Sequence, residues 1–129
     1  MSTPVQVEGG CHCGNVRFTV ALPDPAVTLL DCNCSICAMT GYLHLIVPDA
    51  DFTLDEGKEE LSLYRFGSGK AKHFFCKICG IKSFYKPRSH PDGWSVNYRC
   101  LDEGHGLEAT IQPYDGQNWE KARAALDKD

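Results

Sequence analysis

Apolar and polar residues alternate through Asn15-Val16-Arg17-Phe18-Thr19-Val20, a period of two that puts Val16, Phe18 and Val20 on one face of a half-buried strand. Similar short apolar segments recur at Val27 to Leu30, Tyr42 to Val47, Leu61 to Phe66, His73 to Phe75, Ile81 to Tyr85 and Trp94 to Tyr98. Gly, Pro, Asn and Asp separate them, which is the punctuation of turns. The pattern predicts a mainly β protein, and with no repeat or low-complexity tract it predicts one unit over residues 1–129. The exception is near the end, where Asn118 is placed to cap a short helix carrying Trp119, Ala122 and Leu126 on one face, suited to packing over a sheet.

At 129 residues, with 43% hydrophobic and 23% charged positions, the chain has the make-up of a small globule whose core is adequate but not generous. A bound metal would therefore add substantially to stability. No apolar run approaches the roughly 20 residues that cross a bilayer, and the start, Met1-Ser2-Thr3-Pro4-Val5-Gln6-Val7-Glu8, lacks the basic and apolar regions of a secretory signal. The expectation is a cytoplasmic protein with no membrane partner, in a compartment where thiols stay reduced.

Seven of the eight cysteines fall in three tight groups, Cys11-His12-Cys13, Cys32-Asn33-Cys34-Ser35-Ile36-Cys37 and Cys76-Lys77-Ile78-Cys79-Gly80. Alternate residues on a strand point to one side, well placed to share a metal and poorly placed to bridge each other. The C-x-x-C-G group has the spacing of a zinc knuckle, with the glycine admitting the tight turn that aims backbone N–H groups at thiolate. Joining Cys11 and Cys13 to Cys76 and Cys79 gives a closed four-thiolate site and leaves Cys32, Cys34 and Cys37 as a three-thiolate site with a vacant position. A zinc ribbon of Cys34, Cys37, Cys76 and Cys79, with Cys11, Cys13 and Cys32 left over, satisfies the same spacing rules. Local geometry favours the first division and leaves the second open.

The ordered set Gly9-Gly10-Cys11-His12-Cys13-Gly14, Cys32-Asn33-Cys34-Ser35-Ile36-Cys37 and Phe75-Cys76-Lys77-Ile78-Cys79-Gly80 resembles the glutathione-dependent formaldehyde-activating enzyme family, whose domain centromere protein V shares. Likeness to the centromere protein V branch continues through His44-Leu45-Ile46-Val47-Pro48, Ser83-Phe84-Tyr85-Lys86-Pro87-Arg88-Ser89, Cys100-Leu101-Asp102-Glu103-Gly104 and Trp119-Glu120-Lys121-Ala122. The resemblance implies a β-tent of antiparallel sheets with its core over about residues 8–123. It implies two zinc ions, a structural one on Cys11, Cys13, Cys76 and Cys79 and a catalytic one on Cys32, Cys34 and Cys37. The implied activity is that of a carbon–sulfur lyase making or cleaving a thiol adduct such as S-hydroxymethylglutathione, with glutathione as small-molecule partner. The motifs carry over no residues of a glutathione site.

His44, a strand-length beyond the triplet, and His73, before Phe74-Phe75-Cys76, are the candidates to relay a proton or hydrogen-bond a metal-bound sulfur. His12 should point away from a metal shared by its neighbours. Cys100 reads as a buried thiol or wall residue. Residues 61 to 91 hold no Asp or Glu but carry Arg65, Lys70, Lys72, Lys77, Lys82, Lys86 and Arg88. This is the counter-charge that seven thiolates need, or an anion site for a substrate carboxylate; nucleic acid is the least favoured partner. The alternative to an enzyme is a zinc module binding a protein or nucleic acid. Exposed strand edges are compatible with a homodimer.

Overall fold

The computed structural model describes residues 4–65, 69, 71–87 and 92–114. The predicted helix on Trp119, Ala122 and Leu126 lies outside the described residues, as do Lys70 and Arg88 of the basic segment.

The short alternating segments form strands that fold into two sheets. Strands β1 (Val5–Gly10), β2 (Arg17–Leu22) and β5 (Phe52–Glu56) make a three-stranded antiparallel sheet in the order β1-β2-β5. Strands β3 (Ala26–Cys32), β4 (Leu43–Pro48), β6 (Leu61–Tyr64), β7 (Lys72–Cys76), β8 (Phe84–Lys86), β9 (Gly93–Asn97) and β10 (Glu108–Tyr114) make a second sheet in the order β10-β3-β4-β9-β8-β7-β6. The mainly β expectation holds. One pairing, β10 with β3, is parallel and makes this sheet mixed. A helix that the pattern did not reveal, α1 (Ser35–Thr40), interrupts the cysteine triplet. It is too short to show a helical period and ends on Gly41 at φ 63°.

The core lies where the two sheets face each other. The alternation in β2 turns Phe18, Val20 and Leu22 inward, and they meet Leu29, Leu45, Val47, Phe84 and Val96 of the larger sheet. Phe18 stacks on Phe52 at 5.7 Å between ring centroids and meets Phe84 edge-on at 5.8 Å, so one ring joins both layers. Gly9 lets β1 come close to the far end of the chain: a Cβ there would fall 2.5 Å from the Cys100 carbonyl oxygen and 2.7 Å from the Phe18 ring. That approach allows the bridge between Gly9 and Leu101.

Because Phe18 is fully buried between the sheets, Phe18→Ala is expected to lower the unfolding free energy by about 3–5 kcal/mol. The measurement is urea unfolding of metal-loaded protein, and a midpoint unchanged from wild type would mean that the interface can close over the cavity.

Candidate metal centres

Cys11 and Cys13 sit in the turn that leaves β1, where the Cys11 N–H donates to the Val16 carbonyl at 3.1 Å and the Gly14 N–H to the Cys11 carbonyl at 3.2 Å. Cys76 ends β7 and Cys79 lies in the turn beyond it. There Gly80, at φ 79°, lets its N–H donate to the Cys76 carbonyl at 2.8 Å. The four sulfurs all lie within 4.8 Å of one another, with Cys11 to Cys13 at 3.4 Å and Cys13 to Cys76 at 3.6 Å. Four thiolates bound tetrahedrally at about 2.3 Å from a small divalent ion would be about 3.8 Å apart. Donor type, number and spacing therefore fit such an ion.

Backbone donors prepare this cluster for negative charge. The Val16 N–H donates to the Cys11 sulfur at 3.3 Å. Against the desolvation that opposes ionisation, the Cys13 and Ile81 amides bring the Cys79 thiol down to about 6. Cys13 is pushed up to about 12: the Asn15 amide pulls its thiol down, but desolvation and the neighbouring sulfurs outweigh that donor.

The second cluster is built from one local stretch. Cys32 closes β3, Cys34 takes extended backbone at φ −63° and ψ 161° just before α1, and Cys37 lies on the buried side of that helix. The Ala38 N–H donates to the Cys34 carbonyl at 2.9 Å and the Tyr42 N–H to the Cys37 carbonyl at 3.2 Å, which holds the loop closed. The sulfurs of Cys32, Cys34 and Cys37 again lie within 4.8 Å of one another. The sulfurs are thus divided four and three, and the zinc-ribbon alternative is not the arrangement found.

Three thiols at one point cannot ionise equally. Cys34 is held far below the usual thiol range, first by its hydrogen bond with Cys32 and then by that with Cys37. Cys37 is driven up, first by Cys32 and then by Cys34 and burial. Cys32 is raised chiefly by Cys34. Ionisation within the cluster is therefore unequal, easiest at Cys34 and hardest at Cys37.

The larger sheet supplies the wall behind the triplet. Pairing of β4 with β9 sets His44 opposite Asn97, and the His44 Nε2 lies 3.1 Å from the Cys37 sulfur. Its Nδ1 is 2.8 Å from the Ser95 Oγ and 3.3 Å from the Tyr85 hydroxyl. Tyr42 donates its hydroxyl hydrogen to the Ser95 carbonyl at 2.7 Å. Tyr42 and Tyr85 pack with Cys32 and Cys37 in one buried group. His44 is thus beside the sulfurs, as its place in the sequence suggested; Tyr85 belongs to a stretch that carries the family likeness, whereas Tyr42 and Ser95 lie in no motif, and the sheet register brings all three to His44.

Other candidates fall elsewhere. His73 contacts Lys82, with 2.7 Å between the Lys82 ammonium and the His73 Nδ1. His12 is exposed and outside both sulfur groups. Cys100 also stands outside both, its sulfur 4.0 Å from the Lys82 carbonyl oxygen. Part of the acid-free segment's charge is compensated or buried, although Lys72 and Lys86 stand opposite each other on β7 and β8. Lys77 pairs with Glu60 at 3.7 Å, Lys86 with Asp49 at 3.0 Å, and Lys82 is buried. No helix among the described residues is long and apolar enough to cross a membrane.

The model of a family described as glutathione-dependent formaldehyde-activating enzyme matches residues 6–119. A Halomonas elongata protein named putative glutathione-dependent formaldehyde-activating enzyme is 37% identical over 91 residues, covering 64% of this chain and 57% of that relative. The match thus spans little more than half the relative's length. A crystal structure of a Rhodobacter sphaeroides protein superposes with a TM-score of 0.70 at 33% identity, over 80% of this chain and 99% of that one.

Two outcomes follow from the unlike construction of the clusters. Cys76→Ser is expected to unfold the chain or lower its melting temperature severely, since a metal closing a site between distant segments can contribute on the order of 10 kcal/mol of apparent binding energy. Cys34→Ser, within a locally closed loop, should remove one metal equivalent and leave the circular dichroism of the sheets intact; equal unfolding in both would contradict the distinction. Metal uptake at the triplet should release fewer than three protons at pH 7, because the Cys34 thiol is held far below the usual range while those of Cys32 and Cys37 are raised. Calorimetry of the Cys34-intact protein in buffers of different ionisation enthalpy measures that number.

Proposed function

The chain belongs to the glutathione-dependent formaldehyde-activating enzyme family, and from that premise we propose that it is a zinc-dependent carbon–sulfur lyase. It acts on the adduct of a glutathione-type thiol with a small aldehyde such as formaldehyde. Cys11, Cys13, Cys76 and Cys79 hold a structural zinc in this reading, and Cys32, Cys34 and Cys37 hold the catalytic one. The observation that carries it is the donor count: three sulfurs within 4.8 Å of one another, beside a second cluster that has four. Three protein ligands leave a tetrahedral ion one position for substrate.

Zinc bound there would supply a site at which a thiol loses its proton at neutral pH and is held as the nucleophilic thiolate. Three thiolates already leave a divalent ion formally negative, so delivery of sulfur is favoured over polarisation of the carbonyl. In the adduct-forming direction the substrate sulfur attacks the aldehyde carbon and the C–S bond forms. The carbonyl π pair moves to oxygen, which takes up a proton, and the thiol proton is released to solvent. Cleavage is the reverse, with no change of oxidation state.

His44 in this reading orients the site. With Cys37 as thiolate, Nε2 carries the hydrogen and donates to that sulfur, while Nδ1 accepts from Ser95 or Tyr85. Both ring nitrogens are then engaged, so His44 steadies Cys37 and tunes its charge in preference to relaying a substrate proton. A reducing, cytoplasmic setting belongs to the same proposal, because the seven thiols must escape oxidation. The binding-module alternative, motivated by likeness to the centromere protein V branch, needs a continuous basic surface; the pairing of Lys77 and Lys86 and the burial of Lys82 speak against one.

The test is to follow adduct formation by NMR from glutathione and formaldehyde with zinc-loaded protein. Acceleration over the spontaneous rate is expected, with Cys34→Ser returning the rate to the spontaneous value. No acceleration by wild type would remove the proposal.

A further inference from the structure

Lys82 is the one buried Lys or Arg among the described residues. It lies in the stretch between the Cys79 turn and β8. Its ammonium donates to the His73 Nδ1 at 2.7 Å, and it lies 4.0 Å from the ring centroid of Tyr85 and 4.9 Å from that of Tyr42. The His73 ring is stacked on Tyr85 at 4.6 Å with only 13° between planes. Burial first, and the Lys82 charge second, bring His73 down to about 4, so its ring is neutral and its Nδ1 accepts.

A buried ammonium is costly unless something negative offsets it. No carboxylate pairs with Lys82 among the described residues. What surrounds it instead is one lone pair and two aromatic faces. Tyr42 and Tyr85 are the residues packed against Cys32 and Cys37. Desolvation takes the Lys82 amine down to about 8, and Cys37, Cys34 and Cys32 all oppose that fall. The ammonium and the three sulfurs are therefore coupled through space, and the two rings that the ammonium touches belong to the same buried group as Cys32 and Cys37.

We propose that Lys82 is the built-in counter-cation of the Cys32, Cys34 and Cys37 centre, and that it sets the preference of that centre for an anionic fourth ligand, a thiolate above all, over a neutral one. The inference rests on the reading of the triplet as an open metal site. Three thiolates on a divalent ion have a formal charge of −1; a thiolate entering beside them makes it −2, whereas imidazole leaves it unchanged. In a largely desolvated site that extra charge is tolerated only near a fixed cation. Packing holds the tyrosines and His73 in place, so the cation does not have to be ordered when the ligand arrives. Lys82 is thus a specificity-determining residue that acts through space and does not touch the ligand.

The experiment compares cobalt-loaded wild type with Lys82→Gln, which keeps an N–H for His73 without charge, Lys82→Met, which removes both, and Lys82→Arg, which restores the charge. Each is titrated with glutathione, azide and imidazole, read from the cobalt d–d bands. Both uncharged variants should lose about tenfold or more in affinity for glutathione and azide, with imidazole within about twofold of wild type and Lys82→Arg recovering the anions. Either uncharged variant, once folded, suffices for the comparison. Anion affinities unchanged in Lys82→Gln or Lys82→Met, or imidazole weakened to the same extent, would overturn the inference. Wild type that takes azide but not glutathione would defeat the thiol-substrate reading and leave the role of Lys82 to be decided by azide alone. Wild type whose triplet takes no cobalt, or neither anion, overturns both.

Discussion

The meeting of four sulfurs from two distant parts of the chain constrains everything else in this molecule. Cys11 and Cys13 follow the end of β1 in the small sheet, while Cys76 ends β7 in the large one and Cys79 follows it. Bringing them within 4.8 Å of one another closes the two sheets over Phe18 and its neighbours. A hydrophobic effect spread over a core this small is non-directional, and it could be satisfied by several registers of short strands. Four donors that must reach one point tolerate very few. The local devices support that demand: Gly9 allows the close approach at Cys100, and Gly80 makes the turn that returns backbone donors towards sulfur.

The triplet obeys a different logic. Its three sulfurs come from six consecutive residues, Cys32 to Cys37, so its geometry depends on a turn and one short helix. What the larger sheet adds is environment. β4 brings His44 to Cys37, β8 brings Tyr85 and β9 brings Ser95. The part of the chain best able to alter its ligands is thus separate from the part that holds the sheets together. In the proposed reading this is what allows one centre to exchange a ligand while the other remains closed.

Charge is distributed by the same division of labour. The run of basic residues after Leu61 looks continuous in one dimension, but in the fold its members have different fates: Lys72 and Lys86 face each other across β7 and β8. Lys77 and Lys86 meet carboxylates from other segments, and Lys82 turns inward beneath two tyrosines. A linear excess of positive charge is therefore not a basic surface. It becomes a set of separate compensations, with one cation buried against two tyrosine rings.

The amino-acid order by itself determined the sulfur chemistry, the mainly β character and the facing of β2, because period-two alternation and close ligand spacing are local properties carried by neighbouring residues. It missed α1, which is too short to display a period, and β1, β5 and β10, whose apolar content is modest or lies at an edge. Spacing favoured the four-and-three grouping of the seven clustered cysteines that is found but did not exclude the ribbon, since C-x-x-C pairs are interchangeable until distances are known. Only the tertiary structure excluded the ribbon, set Tyr42, Tyr85 and Ser95 around His44, and buried Lys82. Each of these depends on which strand lies beside which, and pairing across a sheet is set by the packing of the whole chain and not by any one of its segments.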